Sequence, residues 1–573
     1  MSFESVSVDQ FKDNFSAHTE LSGVAIGGRV VTFSDEFFAE ASNMLKVAPS
    51  TSMKGQFGSQ GALFDGWETR RHNPSYDWCI IQLGTTGTVV GFDVDTSHFS
   101  GNEAPACSIE VLDGVPTENP KVDDAGWTEV LPKTDLGPNA RHLFKVPRTE
   151  PVNFVKLKMF PDGGIARFRV YGDVSPVHPQ DIASSFDLAH VFAGGRVIYV
   201  SDQHFGVGAN LLLPGRGKDM GDGWETRRSR IKGHKDWVII KLGAPGYLEH
   251  VEIDTAHFKG NFPESCEIHG LYSDNDLDVQ AQGGDEATWS LLLPRTKLGP
   301  HRQHYFQLEN VETAIYSHIK VTIHPDGGIK RVRITGRKAL AESSTPSIHM
   351  SESTATTQPP LVSIPTTRSA ANVTTIPVLP LTAEAFAPFG QVIQGYSERA
   401  AAPKDQKITG ANAGTAEKYH KQTLLQSSYP PEAGATSGIS VYRCHPFTDI
   451  AADGSIALTV LERHSYTNQS FIPMGRGDGE GLRDPGHRYL VVVAHNGPDD
   501  RPNLLTLRAF LATSAQGITY NSGIWHQPMT VLDKPLDLAC VETQIGDGSI
   551  SDCEILELDM SDQMYKLRLP ARA

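Results

Sequence analysis

Acid, base and anion-gripping residues occur in this sequence in sets that are written twice. Asp65-Gly66-Trp67-Glu68-Thr69-Arg70-Arg71 is repeated residue for residue at Asp222 to Arg228. A carboxylate pair and two arginines on one glycine-containing turn suit a bidentate grip on a small anion, with a proton donor or acceptor beside it. Asp95-Thr96-Ser97-His98-Phe99-Ser100-Gly101-Asn102 returns as Asp254-Thr255-Ala256-His257-Phe258-Lys259-Gly260-Asn261. There Asp-x-x-His could coordinate a metal or form an acid–base pair, because a carboxylate can fix the tautomer of an imidazole. A bland role competes with each: an Arg–Glu brace under a buried Trp, or a histidine closing a turn at a strand end. Identity across two copies favours function, since loops ordinarily drift while scaffolds are kept.

These motifs belong to a duplication at an offset of roughly 160 residues, far beyond solenoid repeat periods. Gly27 to Val30 recurs at Gly194 to Val197, Leu136-Gly137-Pro138 at Leu298-Gly299-Pro300, and Pro161 to Ile165 at Pro325 to Ile329, all in order. Between them lie runs such as DWCIIQLG, VKLKMF, DWVIIKLG and IKVTIH, rich in β-branched residues and bounded by Gly, Pro and Asp. Many short strands in a unit of about 150 residues predict a β-sandwich, most economically a jelly roll with ligand-facing loops. The sandwiches fall at 20–172 and 187–338, inside domains 1–180 and 181–340. Residues 341–375 are rich in Ser, Thr and Pro without an apolar period, which predicts a flexible linker.

From 376 to 573 the pattern resumes, with Thr382 as the N-cap of a short helix. ISVYRCHPF, IALTVLERHSY, YLVVVAHN, LLTLRAFLA and LDLACVETQ read as strands of a small barrel. Gly475 to Arg488 reads as an inserted surface loop, since no strand-to-helix context makes it a phosphate cradle.

A chain of 573 residues exceeds what one core serves, so several domains are expected. No apolar run approaches the ~20 residues of a membrane span. The net charge of −16 disfavours nucleic acid and leaves small molecules as partners. Cys79, Cys107, Cys266, Cys444, Cys540 and Cys553 are scattered, which predicts free thiols in a reducing compartment. The N-terminus lacks a basic segment followed by an apolar stretch, and Pro570 to Ala573 is not an S-K-L address. The cytoplasm is the expected location, with the peroxisome left open.

Taken together, GGRV, DGWETRR, DTxHFxGN, LGP and PDGGI, each present twice, resemble the allantoicase family over residues 20–338. The resemblance implies tandem galactose-binding-like jelly rolls, hydrolysis of allantoate to ureidoglycolate and urea, and a homo-oligomer. Allantoate carries one carboxylate and two planar ureido arms on one carbon. Glu68, His98, Glu225 and His257 are the candidates for proton transfer to it, and Arg70, Asn102, Arg227 and Asn261 for binding it.

Leu461-Glu462-Arg463-His464, Phe471 to Met474, Thr506 to Phe510, Gly517 to Tyr520 and Gly523 to Pro528 resemble the ureidoglycolate lyase family, over residues 376–560. That resemblance implies a cupin-like β-barrel, often dimeric, that cleaves ureidoglycolate to glyoxylate and urea. Such a carbinolamide needs only a base for its hydroxyl proton and an acid for the departing nitrogen. His464 and His526 titrate in that range, Glu462 is a further acid or base, and Arg443, Arg463 or Arg508 can hold the carboxylate. Tyr520 and Gln527 are candidate substrate contacts. Gly523 to His526 resembles the second cupin motif without its proline, and a His-x-His first motif is absent. A divalent metal such as nickel, linked to that family, is left open as cofactor.

The expectation is a mainly β chain of two tandem galactose-binding-like jelly-roll β-sandwiches followed by a cupin-like β-barrel, acting on allantoate and then ureidoglycolate. The alternative is a carbohydrate- or small-molecule-binding protein, since fold alone does not decide. The charged, non-aromatic motifs weigh against glycan binding. A metal-dependent sugar isomerase in the barrel would want the missing His-x-His set.

Overall fold

The structure is a computed structural model that describes residues 2–281, 289–311, 313–339, 372–477, 481–559, 561 and 563–570. The chain divides into two compact units, the first comprising Met1–Gln303 and Leu308–Ala339 and the second His304–Gln307 and Leu340–Ala573.

In the first unit each repeat is built on one long strand. Asp77–Asp95 pairs through its first half with Val152–Phe160 and Arg29–Phe33, and through its second half with Arg141–Lys145 and Arg167–Val174. One strand therefore serves both layers of the sandwich, with register shifts between the halves. Glycines permit the close approach at the crossing. A Cβ on Gly84 would stand 2.5 Å from the Ile26 carbonyl oxygen, and one on Gly87 2.5 Å from that of Asp173. Asp236–Asp254 repeats the arrangement with Tyr316–His324, Arg196–Val200 and Arg331–Lys338. Inward residues such as Trp67, Ile81, Phe92, Val94, Met159, Phe168 and Val170 fill the first core.

The repeated motifs gather where the long strand ends. Trp67–Glu68 pairs with Gly164–Ile165, and Trp224–Glu225 with Gly328–Ile329. Any Cβ on Gly164 or Gly328 would stand 2.0 Å from the ring of Phe99 or Phe258. This close packing is why the PDGGI glycine and the DTxHF phenylalanine recur together.

The second unit begins with Asn372–Pro380, whose first six residues pair in parallel with Gln563–Arg568. Four residues expected in the linker thus belong to the barrel, as β-branched Val373, Thr374 and Thr375 suit a strand. Residues 341–371 of the expected linker lie outside the described residues. Thr382 caps Ala383–Phe386, its Oγ1 accepting from the Ala385 amide at 3.3 Å. Of the loop expected at Gly475 to Arg488, residues 478–480 are not described, Arg476 and Arg483 are exposed, and Arg488 opens a strand.

Two sheets face one another in this unit. One includes Arg508–Thr513, Arg488–Ala494, Trp525–His526 and Val460–Arg463; the other runs Gly390–Ile393, Gly517–Tyr520, Gln469–Met474, Leu536–Gln544, Thr436–Cys444. Strand alternation sends Val491, Val493, Phe510 and Ala512 inward against Phe471, Ile518, Tyr520, Leu538 and Cys540. Val492, Ala509 and Trp525 go to a second core on the outer side.

Candidate active sites

In both repeats the motif asparagine hydrogen-bonds the motif glutamate. Asn102 Nδ2 donates to Glu68 Oε1 at 3.0 Å, and Asn261 Nδ2 to Glu225 Oε1 at 2.5 Å. Burial raises the Glu68 carboxyl above its ordinary value, while Asn102 and Arg71 pull the other way. The arginine near this carboxylate is Arg71. Its Nη2 stands 4.0 Å from Glu68 and its Nη1 donates to Asp162 at 3.0 Å. Arg70 is exposed and bound to Asp35 at 2.8 Å. Arg227 likewise turns to Asp202 at 4.0 Å, while Arg228 reaches Asp326 at 3.4 Å and the Gly260 carbonyl at 3.2 Å. The local strand ends at Glu68, so simple alternation does not tell which arginine follows it inward.

His98 and His257 sit at the same backbone position, with φ of 70° and 69°. That left-handed conformation costs a non-glycine residue about 1–3 kcal/mol, so its presence in both repeats marks a constrained loop. The His98 amide donates to Asn139 Oδ1 at 2.8 Å, and the His257 amide to His301 Nδ1 at 2.7 Å. Asp95 and Asp254 accept the amide two residues on at 2.8 Å, shaping the turn that presents each histidine. Arg71, Arg228, Asn139 and His301 are the residues here that sequence reasoning passed over.

In the second unit, register assembles the site. Glu462 pairs with His526, His526 with Val493, and Val493 with Arg508, so these four share one row on the inner face. His464 follows the same strand and its ring stacks 5.6 Å from that of His526. His464 Nδ1 donates to the Asp552 carbonyl at 2.7 Å and His526 Nδ1 to the Ile524 carbonyl at 3.0 Å. A carbonyl can only accept, so each Nδ1 carries the proton and each Nε2 keeps its lone pair. Both Nε2 atoms are buried with no hydrogen-bond partner, and Glu462 Oε1 lies 3.6 Å from that of His526. Burial, then the neighbouring His526, lowers the His464 pKa. Burial pushes the Glu462 carboxyl up, but the imidazoles of His526 and His464 outweigh it and hold it below its usual range. Tyr520 stacks on His526 at 4.0 Å, and burial drives its phenol well above the ordinary value. Gln527 donates to Thr530 Oγ1 at 3.1 Å and leaves its own carbonyl oxygen unpartnered.

The three candidate arginines separate. Arg443 lies on the outer face of its sheet, clasping Asp537 at 2.8 Å. Arg463, one residue from Glu462, points outward by alternation, with its guanidinium 4.6 Å from the Trp525 ring and both Asp500 and Glu554 at 2.7 Å. Arg508 alone shares the inner-face row with His526, although its Nη1 donates to the Leu507 carbonyl at 2.9 Å. A cavity of about 520 Å³ lined by Gly475, Arg476, Arg483, Asp484, His487 and Leu536 lies at the opposite end of these strands and includes none of the candidates.

Ligand atoms of Glu462, His464 and His526 all lie within 4.8 Å of one another. Two unpartnered imidazole nitrogens, each anchored through its other nitrogen to a carbonyl, and one carboxylate fit a divalent ion.

Fold and sites together define a two-part enzyme for small polar molecules, a pair of jelly-roll sandwiches with duplicated acid sites and a cupin-like barrel with an interior acid–base set. The family model described as allantoicase repeat matches residues 19–175 and 186–339, and that described as ureidoglycolate lyase matches 373–564. A probable allantoicase of Schizosaccharomyces pombe is 49% identical over 320 residues, 55% of this chain and 91% of that protein. The allantoicase of Saccharomyces cerevisiae is 44% identical over 321 residues, 55% of this chain and 92% of that protein. The crystal structure of the Saccharomyces cerevisiae allantoicase matches with a TM-score of 0.51 and 41% identity, covering 58% of this chain and all of that one. The chain belongs to the allantoicase family, with a ureidoglycolate lyase domain behind its repeat pair. It is a bifunctional enzyme of allantoin degradation.

Proposed function

We propose that the sandwiches hydrolyse allantoate to ureidoglycolate and urea through the Glu68–Asn102 and Glu225–Asn261 pairs, and that the barrel splits ureidoglycolate through Glu462, His464 and His526. The observation that carries the barrel assignment is the two buried Nε2 lone pairs beside one carboxylate. His526 Nε2 takes the substrate's hydroxyl proton as the carbon–nitrogen bond breaks. The oxygen's electron pair becomes the carbonyl of glyoxylate, and the proton passes to the departing ureido nitrogen, completing urea. Glu462 stabilises the imidazolium formed between these transfers, and Arg508 holds the substrate carboxylate at the far end of the row. A divalent ion held by Glu462, His464 and His526 would take the Nε2 lone pairs and would, in place of proton abstraction by His526, supply Lewis-acid polarisation of the substrate oxygens.

In the sandwiches, hydrolysis of allantoate needs an activated water and a proton for a poor nitrogen leaving group. Delivery of that proton is assigned to Glu68, a reading supported by the burial that raises its carboxyl, with Glu225 as its counterpart. His98 and His257 divide the work with them as bases, and Arg71 is the nearer substrate-gripping arginine in the first repeat.

The test uses the full chain supplied with allantoate. The intact protein is expected to release two urea and one glyoxylate per allantoate, and His526→Ala one urea with ureidoglycolate accumulating. An intact chain that consumes neither compound, with or without added divalent metal, would leave a binding protein as the better reading.

The barrel also offers a surface for a second copy. Thr436–Cys444 is a sheet edge, and Ile439 and Val441 on its outer face are 74% and 59% exposed beside Ile472 and Met474. An edge unpaired among the described residues, with a flanking apolar stripe, suits self-complementary pairing of two chains about a two-fold axis. The cytoplasm is the compartment proposed, a reading supported by the free thiols of all six cysteines. No helix among the described residues is long and apolar enough to cross a membrane.

A further inference from the structure

Glu542 takes no part in the proton transfer described above. It is 5% exposed on Leu536–Gln544, and among the described residues no lysine or arginine pairs with it. Its Oε2 accepts from Gln469 Nε2 at 3.0 Å, and its Oε1 accepts a weak hydrogen bond from the Cys540 thiol at 3.6 Å. His464 Nδ1 is 3.7 Å away but gives its proton to the Asp552 carbonyl at 2.7 Å. A carboxylate this deep is costly unless further donors reach it.

Gln469 poses the same question. It is 2% exposed, and its side-chain oxygen is buried with no partner. Register places both residues on the inner face. Gln469 pairs with Tyr520, and the neighbouring Ser470–Val541 pair sets Gln469 opposite Glu542. Phe471, Ile518 and Cys540, two residues along from Gln469, Tyr520 and Glu542, form the barrel core. The interior beside His464 therefore presents a strip rich in acceptors: the Glu542 carboxylate, whose oxygens hold one amide and one thiol donor between them and have lone pairs to spare, and the Gln469 oxygen, which has no donor.

A ureido group supplies what is missing, because it carries three N–H donors and a single acceptor. We propose that Glu542 and Gln469 form the ureido subsite of the barrel, Glu542 receiving N–H groups of the substrate's urea end and Gln469 a further one. This assignment rests on the reading of the barrel as a ureidoglycolate-cleaving site. It orients the substrate with the ureido end at Glu542 and the carbinol carbon at His464 and His526. It also makes the barrel discriminate against 2-hydroxy acids that lack N–H donors, since their binding would leave these acceptors unpaired.

Product inhibition of the full chain tests the subsite, because urea and glyoxylate occupy opposite ends. Glu542→Gln puts a donor where an acceptor stood, and Gln469→Met removes the oxygen at similar length. Each is expected to weaken inhibition by urea about tenfold or more while glyoxylate inhibition changes by less than about twofold. KM for ureidoglycolate should rise more than kcat falls. Equal loss of urea and glyoxylate inhibition, or urea inhibition insensitive to both substitutions, overturns the subsite. If Glu542→Gln does not fold, as thermal unfolding would show, Gln469→Met alone decides. An intact chain that fails to cleave ureidoglycolate overturns the underlying reading instead.

Discussion

At the scale of single residues, both halves depend on which way a polar group is made to face. The barrel imidazoles present Nε2 because backbone carbonyls claim Nδ1. General acid–base groups contribute about 10²–10⁴-fold, so His526→Ala should lower ureidoglycolate cleavage by that factor and leave allantoate hydrolysis unchanged. In the sandwiches the Glu–Asn pair is present in both repeats. Glu68→Gln and Glu225→Gln should therefore each remove about half of the urea released from allantoate, and the double variant nearly all of it. Initial-rate assays of the singles and the double check this, and a single variant that abolishes the activity would assign it to one repeat.

Among the elements, small motifs hold the sandwich loops and the barrel face in place. The turn Val191–Ala193 is capped by His190, whose Nδ1 accepts from the Phe192 amide at 3.1 Å. Burial, then Arg333, depresses the His190 pKa from 6.5 to about 4. The unfolded chain thus binds more protons than the folded one between these values. The stability from the neutral cap is complete above the unfolded value and is lost as pH falls through about 4. His190→Asn keeps an acceptor without the titration, and melting curves should show it losing ~1 kcal/mol less than the parent across that window, after allowance for the ring's partial exposure. On the barrel, Val441→Lys should shift the sedimentation coefficient toward a single chain while both activities persist. An unchanged coefficient would count against the edge as an interface.

For the whole molecule, each unit carries its own core, so each reaction is expected to proceed without the other unit. A chain split after Thr357 should yield a front piece that releases urea from allantoate without glyoxylate and a back piece that cleaves ureidoglycolate. Joining the units keeps the two activities at equal copy number and raises the local concentration of the intermediate. Loss of either activity on splitting would show that one unit depends on the other.

Duplication, strand alternation and turn composition are local in the chain, and they were enough to predict two sandwiches and a barrel, while the Glu462, His464 and His526 motifs were picked out by their resemblance to a family. Alternation also held a signal that was legible but passed over. Leu536, Leu538, Cys540 and Glu542 are every second residue of one run, so Glu542 had to share the inner face. What lay beyond the sequence were choices made where regular structure stops or distant strands meet. Arg71 rather than Arg70 approaches Glu68 because the strand ends there and Asp35 and Asp162 draw the two side chains apart. Gln469 and Glu542 are 73 residues apart, and nothing in either segment announces the other. Their meeting is set by the register of two strands, and that register is decided by which apolar faces pack together in the folded barrel.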